Sequence, residues 1–271
     1  MSVIKRLNLG CGRKFHSSWT NIDFDGDGKN VICHNLLKGI PFKDNDFDVV
    51  YHSHLLEHFS KDDASSFLKE CLRVLKPEGI IRIAVPDLEQ IINHYKINLE
   101  NALQNKLGAE SNYDWIMLEL YDQTVRNSSG GNMKKYILEP AVPNLNYIYQ
   151  RLGNEAKQIR VNKDAEELTN NFKILKYFKF KNWYNFFVKI ILTKVDYHHL
   201  QIGKFRNAGE IHQWMYDQYS LKNLLKKTGF NQIAIKTAIE SDITNWNDYI
   251  LDADANGNTH KPDSLFIEAR K

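Results

Sequence analysis

The sequence predicts an α/β fold: a doubly wound, mostly parallel sheet of about seven strands, split by a large helical insertion. Three observations predict it. A turn with two glycines follows the first apolar run ("RLNLGCG", 6–12), a strand–helix–strand unit spans 47–86, and strand-like alternation disappears after 108 and returns near the C-terminus. Short strands are expected at 3–9 ("VIKRLNL"), 19–24 ("WTNIDF") and 47–52 ("FDVVYH"). Residues 80–86 ("IIRIAVP") form an almost unbroken apolar run, as in strands buried on both faces of a parallel sheet. Between the last two strands, Ser60 or Asp62 caps a helix whose apolar face is Phe67, Leu68, Cys71, Leu72 and Leu75, with Pro77 and Gly79 as its stop. Strand, helix and buried strand imply a right-handed parallel crossover.

A second helix follows at 87–107. From about 108 to 205 the chain is aromatic, basic and asparagine-rich. A helix with a glycine stop (220–230), a strand (231–239) and a terminal strand (263–271) then resume the sheet pattern. The expected domains are therefore 1–105 with 208–271, and an insertion over 106–207 that shapes an acceptor site.

At 271 residues, 42% apolar and 25% charged, the chain reads as globular. Its first residues enter a strand pattern with no export signal, and its longest greasy stretch (182–195) is broken by Lys189 and Lys194. Cys11, Cys33 and Cys71 show no paired or metal-type spacing. These features predict a soluble, cytoplasmic protein. Net charge is +3, but it is segregated: between Arg151 and Asn207 twelve Lys/Arg face five Asp/Glu, a local +7 that leaves −4 elsewhere.

Asn8, Gly10 and Gly12 lie where a first strand turns toward its next element, so ligand can approach the backbone closely. Asp23 ends the second strand, where a carboxylate can accept both hydroxyls of a ribose. Read singly, Asp23 is equally a strand-end cap and Asn35 a turn former.

The order and spacing of Leu9-Gly-Cys-Gly12, "NID" ending at Asp23, "NL…IPF…DNDFDVV" from Asn35, "LLEH" at 55–58 and "LRVLKPEGIIRIAVPD" resemble the class I S-adenosylmethionine-dependent methyltransferases. The resemblance is strong over residues 4–90 and looser over 209–271. It implies a Rossmann-like sheet and S-adenosyl-L-methionine as cofactor. Asn8, Gly10, Cys11 and Gly12 would cradle that cofactor, Asp23 would hold the ribose, Asn35 and Leu36 would border the adenine, and Ser53 with His54 would underlie the methionine part.

The chain departs from the family pattern at Asn8, where an acid is usual, and at Lys14, where a third glycine is common. Only eleven positions separate Gly12 from Asp23, against about twenty in the dinucleotide fold. The first helix is expected to be very short or absent, with Arg13, Lys14 or Phe15 supplying cofactor contacts in its place.

"GEIHQWMYDQYSLKNLLKKTGF" and "KPDSLFIEARK" look like a subgroup often encoded beside surface-polysaccharide genes, which implies O-methylation of a sugar hydroxyl in a glycan or its nucleotide-sugar precursor. An alcohol acceptor benefits from a general base. His212 ranks first, with Trp214 and Tyr216 beside it and Asp217 as its orienting carboxylate. Asp87, at the end of the 80–86 strand, ranks second, and His54 belongs to the cofactor side. His212 as a packing residue of the insertion is the other reading.

No metal is assigned: His52, His54 and His58 lack a completing ligand, and the calcium-like "DADANGNTHKPD" (252–263) and "DFDGDG" (23–28) read as polar turns, while a divalent ion in the acceptor site stays open. The lysine- and aromatic-rich stretch 172–195 fits an amphipathic lid, an anionic sugar site, RNA or a membrane surface. Low overall charge and no compact arginine patch argue against nucleic acid. A homodimer, an RNA or small-metabolite acceptor, and a non-catalytic cofactor-binding protein stay open as alternatives.

Overall fold

The computed structural model describes residues 4–169, 188 and 190–271. The stretch 172–195 lies largely outside the described residues. The chain divides into two compact units, Met1–Ile97 with Gln150–Gly153 and His212–Lys271, and Asn98–Tyr149 with Asn154–Ile211.

The first unit carries a seven-stranded sheet in the order β3-β2-β1-β4-β5-β7-β6. Its strands are β1 (Arg6–Leu9), β2 (Thr20–Asp23), β3 (Ile32–Cys33), β4 (Phe47–Ser53), β5 (Leu75–Pro86), β6 (Asn231–Lys236) and β7 (Ser264–Arg270). The first five pair in parallel, whereas β7 runs antiparallel to both β5 and β6. This is the Rossmann-like, doubly wound arrangement expected from sequence. The two-residue edge strand β3 was not foreseen, because it is too short to carry any alternation.

Helix α1 (Lys61–Val74) connects β4 to β5, and Ser60 caps it by accepting the Asp63 N–H. It ends before Pro77: Leu75 is already extended and pairs with Phe47, and a residue preceding proline is disfavoured in the helical region. Helix α2 (Leu88–Leu103) follows β5.

The second unit contains α3 (Ala109–Val125), α4 (Gly131–Ile137), most of α5 (Leu145–Leu152), α6 (Asn154–Thr169) and α7 (Lys194–Arg206). There Arg126 at the end of α3 bonds both Asp122 and Glu210. Among the described residues, no helix is long and apolar enough to cross a membrane. Back in the first unit, α8 (Gln218–Thr228) stops at Gly229, which takes the left-handed conformation at φ 106°.

Strand alternation divides the core. Leu7, Leu9, Ile22, Val50, Ile81, Ile83 and Ile267 pack with Phe67, Leu68 and Cys71 of α1 and Leu221 and Leu225 of α8. Val49, Tyr51 and Ile80, from intervening positions, join Trp19, Ile243, Trp246 and Leu251 in a separate cluster.

Arg82 is the exception within the apolar β5. It is fully buried, and all five of its N–H donors are used. Nε bonds Asp252 at 2.8 Å, Nη1 bonds Glu268 at 2.7 Å and the Glu240 carbonyl, and Nη2 bonds the carbonyls of Thr237 and Ala238. Trp246 lies under the guanidinium, 4.4 Å from carbon to ring centroid. The turn of Thr237 and Ala238 toward Arg82 ends β6 at Lys236, short of the expected 239. Asp252 is engaged by Arg82 and by the Tyr51 hydroxyl, while Asp254 accepts from Asn256 and Asn258, so this segment is a hydrogen-bonded turn, as read from sequence.

Arg82→Ala would take the guanidinium from two buried carboxylates and from the Thr237 and Glu240 carbonyls, while Ala238 would keep its bond from Trp246 Nε1. It should destabilise the protein by about 3–5 kcal/mol, read as a lowered urea midpoint with an unchanged slope.

Candidate active site

The C-terminal edge of the parallel strands, where β1 lies between β2 and β4, is the place where open α/β sheets bind ligands. No helix leaves β1. Gly10 and Gly12 take left-handed conformations, φ 63° and 52°, and the Gly10 N–H bonds the Ile22 carbonyl. Two side-chain amides replace the helix. Asn8 donates to Asn21 Oδ1 (3.2 Å) and to the Lys14 carbonyl (3.3 Å), while Asn21 donates to the carbonyls of His16 and Trp19. An acid at position 8 could donate none of these bonds when ionised. The eleven-position spacing and the unusual Asn8 thus have one explanation.

A β-carbon on Gly12 would meet nothing within 4 Å, so the loop is open for a ligand to approach its backbone. On Gly10 it would lie 2.7 Å from Leu55 Cδ1. Asp23 accepts the Gly12 N–H at 2.8 Å and the Asp25 N–H at 3.0 Å, which pins the loop to the end of β2. Burial pushes the Cys11 thiol up to about 12, so it stays protonated. A glycine cradle beside a strand-end carboxylate fits a nucleoside bearing a ribose.

Four further residues are expected at the cofactor. Leu36 packs in the main core, and Asn35 caps the turn Leu36–Lys38 by accepting the Leu37 N–H. Ser53 ends β4. His54 stands at φ 51°, with Nε2 2.8 Å from the Ser264 hydroxyl and Nδ1 3.3 Å from Glu57 Oε1.

Glu57 is the residue that sequence reasoning missed. It is 1% exposed, and burial by itself would raise its pKa, but His54, with His212 and His58 beyond, holds the carboxyl down at about 2. The Gln213 and Trp214 N–H groups both donate to the Glu57 carbonyl, at 2.7 and 3.2 Å, and this docks the 211–216 segment on the turn after β4. His212 is thereby brought beside His58, ring centroids 4.8 Å apart and nearly perpendicular.

The carboxylate beside His212 is accordingly Glu57. Asp217, expected in that role, instead caps α8 in a reciprocal pair with Ser220, its Oδ1 accepting the Ser220 N–H at 2.7 Å. The sequence "YDQYS" carries that cap signal. Asp87 is half-buried at the end of β5 and accepts the Glu89 N–H at 3.0 Å. Burial raises its pKa against the bonds from Gln90 and Glu89. Tyr216 pairs with Asp87 as an isolated bridge, and burial first, then the Glu57 charge, pushes its phenol up.

Residues 17–83 match the family model described as a methyltransferase domain. No curated protein matches the chain. Among solved structures, an S-adenosylmethionine-dependent methyltransferase from Archaeoglobus fulgidus aligns over 99% of this chain and 86% of its own at 14% identity, TM-score 0.38. One from Thermotoga maritima aligns over 100% and 84% at 11% identity, TM-score 0.38. The 1,6-didemethyltoxoflavin-N1-methyltransferase of Burkholderia thailandensis, solved with S-adenosylhomocysteine, aligns over 30% and 44% at 19% identity, TM-score 0.27. Residues 17–83 thus carry a methyltransferase-domain match, on a sheet of Rossmann-like order.

His52 supplies a test of the burial beneath the site. Fully buried, and packed 5.3 Å from the Phe67 ring centroid, it has its pKa pushed by burial from the ordinary 6.5 down to about 4, against the opposing pull of Glu57. The unfolded chain therefore takes up a proton that the folded protein refuses, and stability falls as pH drops from 6.5 to 4. His52→Phe should remove this loss, roughly 3 kcal/mol, and flatten thermal stability against pH across that window. An unchanged slope would assign the titration to another group.

Proposed function

We propose that this protein is an S-adenosylmethionine-dependent methyltransferase that transfers the methyl group to the oxygen of a sugar hydroxyl, in a surface glycan or a nucleotide-sugar precursor. The observation that carries the reading is the approach of the His212 ring to the buried Glu57 carboxylate, ligating atoms within 4.8 Å, with Trp214 two residues on lining a groove of aromatics and lysines. Trp214, 37% exposed, lines this groove of about 210 Å³ with Tyr219, Lys61 and Lys227. Aromatic faces suit the C–H faces of a sugar, and lysines suit an anionic sugar or a diphosphate. Lys61 already sits over the Trp214 ring, Nζ 4.0 Å from its centroid.

S-adenosylmethionine supplies a methyl activated by positive sulfur. The chain has to align the acceptor, exclude water and receive a proton. We assign deprotonation of the acceptor hydroxyl to the His212–Glu57 pair, with the anionic carboxylate stabilising the imidazolium that forms. On this reading Asp23 accepts the ribose hydroxyls, and the backbone at Gly10, Cys11 and Gly12, which Asn8 holds in shape, lies against the cofactor. Ser53 and His54 border its methionine end, while Asp87 shapes the acceptor side.

Labelled methyl transfer to a panel of nucleotide sugars and oligosaccharides tests the acceptor class. Transfer to RNA or to a non-sugar metabolite alone would replace it, and cofactor binding without turnover on any acceptor would favour the non-catalytic alternative. Asp23→Ala should weaken S-adenosylmethionine by about 10- to 100-fold, the worth of one or two charged hydrogen bonds. His212→Ala should lower turnover by about 10²- to 10⁴-fold with cofactor affinity intact. Calorimetry and initial rates separate the two effects.

A further inference from the structure

The cluster around Glu57 has a donor set that proton transfer alone does not require. One ligating atom from each of Glu57, His58 and His212 can be chosen so that all three lie within 4.8 Å of one another. Glu57 and His212 are buried, 1% and 8% exposed, while His58 is half-buried. The grouping does not depend on a chance side-chain approach. Glu57 and His58 are adjacent on one turn, and the two backbone bonds from Gln213 and Trp214 to the Glu57 carbonyl fix His212 against it.

We propose that Glu57, His58 and His212 form a binding site for one divalent transition-metal ion, Zn²⁺ being the closest chemical fit. Two imidazoles with one carboxylate are borderline donors that suit Zn²⁺, Co²⁺ or Ni²⁺, whereas Ca²⁺ and Mg²⁺ seek oxygen-rich sets. Bonds of about 2.0–2.2 Å place tetrahedral donors about 3.4 Å apart, so an ion would draw the three side chains inward by rotamer adjustment. His54 lies 3.3 Å from the carboxylate through Nδ1 and contacts Ser264 through Nε2, the kind of outer contact that orients a ligating carboxylate. Three protein donors leave a coordination position for water or an acceptor oxygen.

A cation here also answers the electrostatics: a desolvated anion gains a full positive charge without protonating its imidazoles. The catalytic consequence rests on the hydroxyl-acceptor reading above, with the ion replacing His212 as the group that activates the hydroxyl, because a metal-bound imidazole does not also accept that proton. An alcohol oxygen bound to the ion loses its proton to water, then forms the new C–O bond as the methyl–sulfur bond breaks and sulfur keeps that electron pair. Loss of activity in a His212 variant is expected on either route, so metal binding itself carries the test.

The experiment uses the full chain, stripped with chelator, without cofactor or acceptor. Zn²⁺ is titrated by calorimetry, and Co²⁺ by visible absorption, which reports the ligand field directly. The expected result is one equivalent of metal per chain, weakened by about 100-fold or more in His58→Ala and in His212→Ala, and unchanged in His199→Ala. His58→Asn and circular dichroism guard against a variant that fails to fold. Two results would overturn the site: no binding of either ion by the native chain, or stoichiometric binding that survives in folded variants at both His58 and His212. Inactivity toward sugars leaves both readouts untouched, so failure of the acceptor assignment is distinguishable from failure of the metal site.

Discussion

A carboxylate removed from water organises this site. An ionised Glu57 buried alone would cost several kcal/mol, and the chain meets that cost by gathering His54, His58 and His212 around it. The same turn does two further things. Its backbone carbonyl holds Gln213 and Trp214, and its Leu55 side chain lies against Gly10, where a β-carbon would have to displace it. The glycine loop and the 211–216 segment are therefore both indexed to residues 55–58. Displacement of that turn would be felt on both sides at once, because close-packed interiors shift between discrete arrangements and do not deform smoothly.

Arg82 plays the corresponding part for the β6–β7 side of the sheet. Residues 80–86 read as an almost unbroken apolar run, yet a guanidinium sits within β5 with every donor satisfied. A hydrophobic side chain of similar volume could be no less stabilising, since desolvating an ion triad offsets much of its attraction. What the triad adds is direction. Two carboxylates and three carbonyls can meet one planar fork in only one way, which specifies where β6 ends and how the 237–252 segment packs under Trp246.

The legible parts of the sequence were those written in local pattern. Alternation gave six strands, the Ser60 cap and apolar face gave α1, and Gly229 gave the end of α8, because each signal lies within a few residues of what it controls. The spacing from Gly12 to Asp23 correctly implied that no full helix follows β1. What replaces the helix was hidden, although Asn8 and Asn21 are neighbours in the β1–β2 register and both are buried amides. The Glu57–His212 pairing was hidden for a different reason, being a contact between residues far apart in sequence. One signal was available: an acid between Leu56 and His58 in "HLLEHF", beside apolar residues that bury it, needs a partner. Asp217 was given the role because it lies near His212 along the chain, but the helix N-terminus it precedes had the nearer claim.

On the proposed assignment, the missing helix changes how the cofactor would be held. In a dinucleotide fold, the N-terminus of the first helix offers several N–H groups and a partial positive charge to an anionic ligand group. Here residues 10–19 are turns, with their carbonyls occupied by Asn8 and Asn21, so no aligned peptide dipoles exist to serve the methionine carboxylate. Arg13 and Lys14 are the cations this loop carries, and both are exposed. Attraction between exposed charges is screened over about 8–10 Å at ordinary ionic strength, unlike a buried dipole contact. If the proposed assignment holds, with Asp23 at the ribose and Arg13 or Lys14 at the carboxylate, affinity on the carboxylate side should be the more salt-sensitive, because Asp23 is anchored by the Gly12 N–H. The balance follows from one substitution of means: side-chain amides shape the loop, and flexible side chains supply the charge.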